Sequence, residues 1–304
     1  VESGVASRRF GLAAAIGDVN GDGRNDIYVS NDFYSADQLL MNTGNDPKTG
    51  APVFRDEALQ QLSHLSYYSM GVDIADYNND GQRDIYVVDM TPSDHKLNKE
   101  NMASMDPAQF RQLVGNGFHR QYMVNTLHKN NGNGTWSEVG QMAGVDRTDW
   151  SWAPLFCDLD NDGWKDLFVT NGIVRDVTNR DFKNEVTRIA EEQGTNQAFR
   201  PILELAPSHT TEKMVFRNKG DLTFEKAMES WDYHQLTSSN GAATADLDRD
   251  GDLDLVTVDV NATVNVVRNH ARENGVGHYL QLVLKGDSRD PSATGTSVTL
   301  YTKN

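Results

Sequence analysis

A block of thirteen residues occurs four times in this chain without gaps, and it constrains the fold more than any other feature. The copies are Gly17-Asp-Val-Asn-Gly-Asp-Gly-Arg-Asn-Asp-Ile-Tyr-Val29, Ala75-Asp-Tyr-Asn-Asn-Asp-Gly-Gln-Arg-Asp-Ile-Tyr-Val87, Cys157-Asp-Leu-Asp-Asn-Asp-Gly-Trp-Lys-Asp-Leu-Phe-Val169 and Ala245-Asp-Leu-Asp-Arg-Asp-Gly-Asp-Leu-Asp-Leu-Val-Thr257. Their first aspartates, Asp18, Asp76, Asp158 and Asp246, lie 58, 82 and 88 residues apart. A block recurring in this way marks one supersecondary unit used several times, whose copies bury their apolar faces against one another.

The unit extends beyond the block. Small and apolar stretches precede each acidic loop: Leu12 to Ile16, Met70 to Ile74, Trp152 to Phe156 and Asn240 to Thr244. A short β-branched or aromatic strand follows each loop. Next comes a second strand ending in a polar turn, at Asn42, Asn130, Asn218 and Asn269. In three repeats a Gly-rich turn then leads to an aromatic-led strand, at Phe54, Trp136 and Phe224. Short strands separated by turn signals predict an antiparallel all-β fold. Four strands per repeat is the arithmetic of a β-propeller blade. Four blades are visible over residues 1–270, with repeats at 1–62, 63–145, 146–235 and 236–270.

Two insertions carry the extra length. Residues 90–122 contain Asp106-Pro107, a helix cap followed by a first-turn proline. Residues 171–213 carry Phe182, Val186, Ile189 and Ala190 at helical spacing, stopped by Gly194. Both are expected to be surface helices. From about Gly277 the acidic loops end. Tyr279-Leu-Gln-Leu-Val-Leu284 and Ser297-Val-Thr-Leu-Tyr301 predict strands of a second small β-domain over 277–304. The opening at Val1, without an initiator Met, leads us to expect further blades upstream.

Each loop has the form D-x-[DN]-x-D-G-x-x-D. Oxygen ligands at alternate positions of a tight turn converge on one point, which suits a hard cation. The candidate side chains are Asp18, Asn20, Asp22 and Asp26; Asp76, Asn78, Asp80 and Asp84; Asp158, Asp160, Asp162 and Asp166; and Asp246, Asp248, Asp250 and Asp254. Arg24, Gln82, Trp164 and Asp252, each following the turn glycine, are expected to offer backbone carbonyls. About four Ca²⁺ ions are expected, one per loop, because Ca²⁺ accepts six to eight oxygens in flexible geometry. A turn without metal is the competing reading, since Asx residues favour turns. Four such loops in register would leave clustered carboxylates facing each other uncompensated, which is costly. The loops are not EF-hands, which need a glutamate at the twelfth position and flanking helices; here that position is Val29, Val87, Val169 or Thr257 inside a strand.

The charge balance agrees. With 28 basic and 44 acidic residues the net charge is -16. Setting aside the fourteen loop aspartates leaves 30 acidic against 28 basic residues. The acidity is thus concentrated in the loops. It argues against nucleic-acid binding, which needs a basic stripe, and no apolar run is long enough for a membrane span. A single cysteine, Cys157, excludes an internal disulfide and cysteine-paired zinc sites.

These loops resemble the FG-GAP/VCBS repeats of integrin α-chain propellers and many bacterial surface proteins, and Phe10-Gly11 keeps the FG pair ahead of the first loop. Lys129-Asn-Asn-Gly-Asn-Gly-Thr-Trp136 and Arg217-Asn-Lys-Gly-Asp-Leu-Thr-Phe224, with the strand-rich C-terminal segment, resemble the ASPIC/UnbV group. Asp149-Trp-Ser-Trp152 and Asn171-Gly-Ile-Val-Arg-Asp176 are similar to its Bacteroidota branch. The usual Gly-Ala turn of the C-terminal module is Gly295-Thr296 here, and the module is incomplete. The resemblance implies a propeller, commonly seven-bladed, on an exported or cell-surface protein. Its partner would be a protein or glycan ligand, such as an outer-membrane nutrient-uptake transporter complex.

Two functional classes follow. One is a non-enzymatic, calcium-stabilised adhesion or binding scaffold. The alternative is a propeller-type polysaccharide lyase or hydrolase with structural calcium. The scaffold is preferred, because no metal-spaced histidine motif, nucleophile elbow or phosphate loop is present. Tyr67, Tyr68, Trp150, Trp152, Trp231 and Tyr233 fit inter-blade packing better than a sugar-stacking platform.

Overall fold

The computed structural model describes residues 3–33, 35–101, 106–193, 204–208, 211–288, 290–293, 296 and 298–301. Each acidic block folds as a hairpin turn between two antiparallel strands. The first blade is β1 (Gly11–Gly17), β2 (Asp26–Asn31), β3 (Gln38–Asn45) and β4 (Pro52–Asp56). A short strand, β5 (Leu65–Ser66), leads to the second blade, where β6 (Gly71–Ala75), β7 (Asp84–Val88), β10 (Thr126–Asn130) and β11 (Trp136–Glu138) form the sheet. The insertion between its strands holds β8 (Met90–Thr91), β9 (Gln121–Tyr122) and two helices, His95–Asn101 and Pro107–Gly115. The third blade is β12 (Asp149–Cys157), β13 (Asp166–Asn171), β14 (Met214–Asn218) and β15 (Phe224–Lys226), and β8 adds to its β12 edge. The fourth has three strands, β16 (Ser239–Ala245), β17 (Asp254–Asp259) and β18 (Asn265–Val267).

The register is the same in every blade. The residue before the first loop aspartate pairs with the last loop aspartate: Gly17 with Asp26, Ala75 with Asp84, Cys157 with Asp166 and Ala245 with Asp254. The fourth strands place their aromatic opposite an asparagine: Phe54 opposite Asn42, Trp136 opposite Asn130 and Phe224 opposite Asn218. After β18 the chain turns back over its own loop instead, with the Arg272 amide donating to Asp252, and among the described residues no strand pairs with β18 on its far side.

Blades stack because each strand after a loop alternates apolar side chains between two faces. One apolar core joins Tyr28, Leu39 and Met41 of the first blade to Ile85, Val87 and Trp136 of the second. Another joins Tyr77, Tyr86, Val88 and Leu127 to Leu167, Val169, Phe216 and Phe224. The last joins Cys157, Phe168 and Val215 to Leu255. Contacts run from β1 to β6, β6 to β12 and β12 to β16, giving a curled arc of sheets. Ile85 is fully buried, whereas Ile27, its counterpart in the first blade, is half-buried. Leu127 is fully buried, whereas Val266, its counterpart in the fourth, is 58% exposed. The two ends of the arc are the open halves of one type of junction. This is a β-propeller-like all-β architecture.

The helical insertions are as read. Asp106 caps the helix at Pro107 by accepting from the Ala108 and Gln109 amides. The second insertion holds the helix Arg180–Gln193, with Phe182 buried; its expected stop at Gly194 lies outside the described residues. The strand expected over 279–284 is not formed. Its residues join no ladder, and Leu280 and Val283 are exposed. An apolar, strand-like run alone does not make a strand, which also needs a neighbour to satisfy its backbone groups. Residues 298–301 form no strand either, and Ser297 and Gly295 lie outside the described residues. Cys157 is buried among apolar side chains, and that burial pushes its thiol well above the ordinary range.

Candidate metal centres

The loops are shaped by their own side chains. Asp18 accepts backbone N–H bonds from Gly21, Asp22 and Gly23 at 2.8–3.1 Å. Asp76 takes the equivalent bonds from Asp80 and Gly81, and Asp158 from Asp162 and Gly163. Asp246 accepts from Asp250. A second ring of acceptors lies inside the first: the Asp22 amide donates to Asn20, Asp80 to Asn78 and Asp162 to Asp160. The fifth residue then accepts from the seventh, in Arg24 to Asp22, Gln82 to Asp80, Trp164 to Asp162 and Asp252 to Asp250. These linked turns hold the alternate side chains on the inner face. The turn glycines have φ of 82° to 100°, which an L side chain rarely adopts.

The last aspartate of each loop is buried and anchored. Asp26 accepts from the Val19 and Asn42 amides, Asp84 from Tyr77 and Asn130, Asp166 from Leu159 and Asn218, and Asp254 from Leu247 and Asn269. Burial pushes the carboxyls of Asp84 and Asp166 up to about 7, and raises that of Asp26. Burial likewise raises Asp158 and Asp160, with their carboxylate neighbours adding to the effect. A cation bound there would offset the cost of the buried negative charge.

Carboxylate oxygens converge to within 4.8 Å of one another in Asp158, Asp160 and Asp166, and in Asp246, Asp248 and Asp250. In loops one and two an asparagine takes the third position. Its amide donates to the fifth residue, Asn20 to Asp22 at 2.9 Å and Asn78 to Asp80 at 3.0 Å. All four donor sets are hard oxygens, so they fit Ca²⁺ and not a soft metal. Of the residues after the turn glycine, Arg24 pairs with Asp22 and Trp164 packs on Gly220. Gln82 lies beside Gly132, and only Asp252 brings a carboxylate back to its loop.

Three features escape a reading of the loops alone. Asn130, Asn218 and Asn269 each reach the preceding blade, donating through Nδ2 to the carbonyls of Val19, Tyr77 and Leu159 at 2.7–2.8 Å. Adjacent loops are also joined directly, by Asn79 to the Gly163 carbonyl and Asn161 to the Gly251 carbonyl. Finally, the residue before each bridging asparagine is a tethered cation. Lys129 pairs with Asp80, Arg217 with Asp160 and Asp162, and Arg268 with Asp248 and Asp250. The sequence signal for the bridging asparagines and for the cations before them is the polar end of each third strand.

The aromatic residues divide among several places. Trp150 is buried in the core between blades two and three, and Tyr67 meets Tyr68 edge-on with ring centres 4.6 Å apart. Trp231 and Tyr233 line a groove of about 710 Å³ between blades three and four, together with Arg217, Arg268 and Asn274. No helix among the described residues is long and apolar enough to cross a membrane.

The FG-GAP-like repeat family model matches residues 18–87 and 113–169, which include the first three acidic loops. No curated protein matches the chain. The fourth loop lies beyond the matched segments but shares their register and anchoring bonds. The chain therefore carries FG-GAP-like repeats on a β-propeller-like arc of sheets.

Proposed function

We propose that the chain is a calcium-stabilised binding scaffold on an exported or cell-surface protein, within the ASPIC/UnbV-like branch of FG-GAP propellers. One observation carries this reading. Four hairpin turns share one register, and each pins an acidic loop between the strands of a blade. Asp18, Asn20, Asp22 and Asp26, with their counterparts in the other loops, would hold the ions. Bound calcium would supply the positive charge that the clustered carboxylates call for, and binding energy would add to folding energy. The loops sit at strand turns, so the ions would stiffen blades and leave rims and grooves for recognition.

The groove at Trp231 and Tyr233 supports a ligand role. It joins aromatic faces to the cationic side chains of Arg217 and Arg268, and the Tyr233 hydroxyl is buried with no hydrogen-bond partner. A glycan or the surface of a partner protein, such as an outer-membrane uptake complex, would suit those groups. A glycan array run with and without calcium tests this. Binding lost on Trp231→Ala supports a ligand groove. Polysaccharide depolymerisation by the wild-type chain would instead favour the lyase or hydrolase reading.

A further inference from the structure

Loop four differs from the others at its seventh position. Where loops one to three carry Arg24, Gln82 and Trp164, loop four carries Asp252. The Asp252 side chain is not turned to solvent, and the residue is 1% exposed. One carboxylate oxygen, Oδ2, accepts from the Arg272 amide at 2.9 Å. The other, Oδ1, is buried and meets no N–H or hydroxyl donor, and the Asp252 side chain faces the Asp250 carboxylate. A buried, donor-less carboxylate oxygen is costly and calls for a compensating group.

The surroundings point to a cation. Carboxylate oxygens of Asp250, Asp252 and Glu273 lie within 4.8 Å of one another. This set is distinct from Asp246, Asp248 and Asp250 and shares only Asp250 with it. Glu273 comes from the turn after β18, outside the repeated loop. That turn is closed by bonds from Asn274 to the His270 carbonyl and from Gly275 to the Arg272 carbonyl. Arg268 pairs with Asp248, Asp250 and Glu273. Among the described residues no cation pairs with Asp252. Even with a protonated His270, 3.4 Å from Glu273, one Arg268 and one loop ion would leave the six carboxylates of Asp246, Asp248, Asp250, Asp252, Asp254 and Glu273 under-compensated.

We propose that Asp250, Asp252 and Glu273 form a second divalent-cation site beside loop four, with Asp250 shared between the two ions. The all-oxygen set suits Ca²⁺, with water completing a shell that the protein fills only in part. The site clamps the turn at Arg272–Gly275 to the last loop, so it ties the segment following the blades to the blades themselves. The proposal rests on the calcium reading of the loops for the identity of its ion.

The test is a count of calcium bound to the metal-stripped full chain by equilibrium dialysis. The wild type should bind one ion more than the four loops account for. Glu273→Gln, an isosteric change at an exposed residue, and Asp252→Asn should each lose one ion and leave the loop ions in place. Asp248→Asn should lose the loop-four ion and keep the Glu273-dependent one. Arg268→Gln should tighten the extra site by removing a competitor for Asp250 and Glu273. A wild-type count unchanged in Glu273→Gln overturns this site alone. No bound calcium in the wild type overturns the loop reading and this site with it.

Discussion

The side-chain amide of Asn218 donates to the carbonyl of Tyr77, 2.8 Å away on the preceding blade, and to that of Lys165, 2.9 Å away on its own. Its Oδ1 accepts from the Gly220 amide, and its backbone N–H donates to Asp166. One residue thus joins an acidic loop, a strand turn and the neighbouring blade. Asn218→Ala should leave two carbonyls short of a donor and cost about 2–3 kcal/mol. Asn42 holds the same place in the first blade, where its Oδ1 likewise accepts from the Gly44 amide, but its Nδ2 donates within its own blade, to the Asn25 carbonyl at 3.3 Å. Asn42→Ala should cost less than half as much. Urea unfolding of the two variants checks the difference; equal losses would contradict the inter-blade role.

A second prediction concerns pH. Asp37 is fully buried, and burial pushes its carboxyl up to about 7. It accepts from the Asn31 amide, the Tyr28 hydroxyl and the Ser69 hydroxyl. Its proton is held more tightly folded than unfolded. The stability it contributes is therefore complete below about pH 4 and is lost as pH rises to about 7. Asp37→Asn mimics the protonated form. Between pH 5 and pH 8 the variant should gain on the wild type by roughly 2 kcal/mol in unfolding free energy, with calcium at the same saturating level throughout. A constant difference across that range would contradict the assignment.

Asp160 tests whether the loops act separately. It accepts from the Asp162 amide and pairs with Arg217, and it belongs to the carboxylate group of loop three. Asp160→Ala should remove the loop-three ion and lower the melting temperature by several degrees, about 1–2 kcal/mol. Calcium binding by the other loops should survive. Isothermal titration gives the stoichiometry, and loss of all ions together would contradict independent blades.

Much of this was legible because it is local. A loop of nine residues, its glycine and its flanking strands all lie in one stretch, so the acidic turns and their shared register follow from the repeat. The bridges made by Asn130, Asn218 and Asn269 do not, because each needs a carbonyl more than one hundred residues away. The asparagines themselves recur at the end of each third strand, but nothing local to them names the partner carbonyl. Lys129, Arg217 and Arg268 directly precede those asparagines, but Met41 breaks the pattern in the first blade, where Arg24 serves within the loop. Residues 279–284 show the opposite failure. Their apolar, strand-like composition is real, but no second strand among the described residues pairs with it. Glu273 could not be read at all, since only the fold-back after β18 brings it to Asp252.

Ions held in the acidic loops would help hold the blades. Thermal unfolding of the full chain in excess calcium and in EDTA, followed by tryptophan fluorescence, tests it most directly. The melting temperature should be at least several degrees lower in EDTA, restored by adding calcium and accompanied by earlier exposure of Trp136 and Trp150. Identical melting in the two conditions would contradict it.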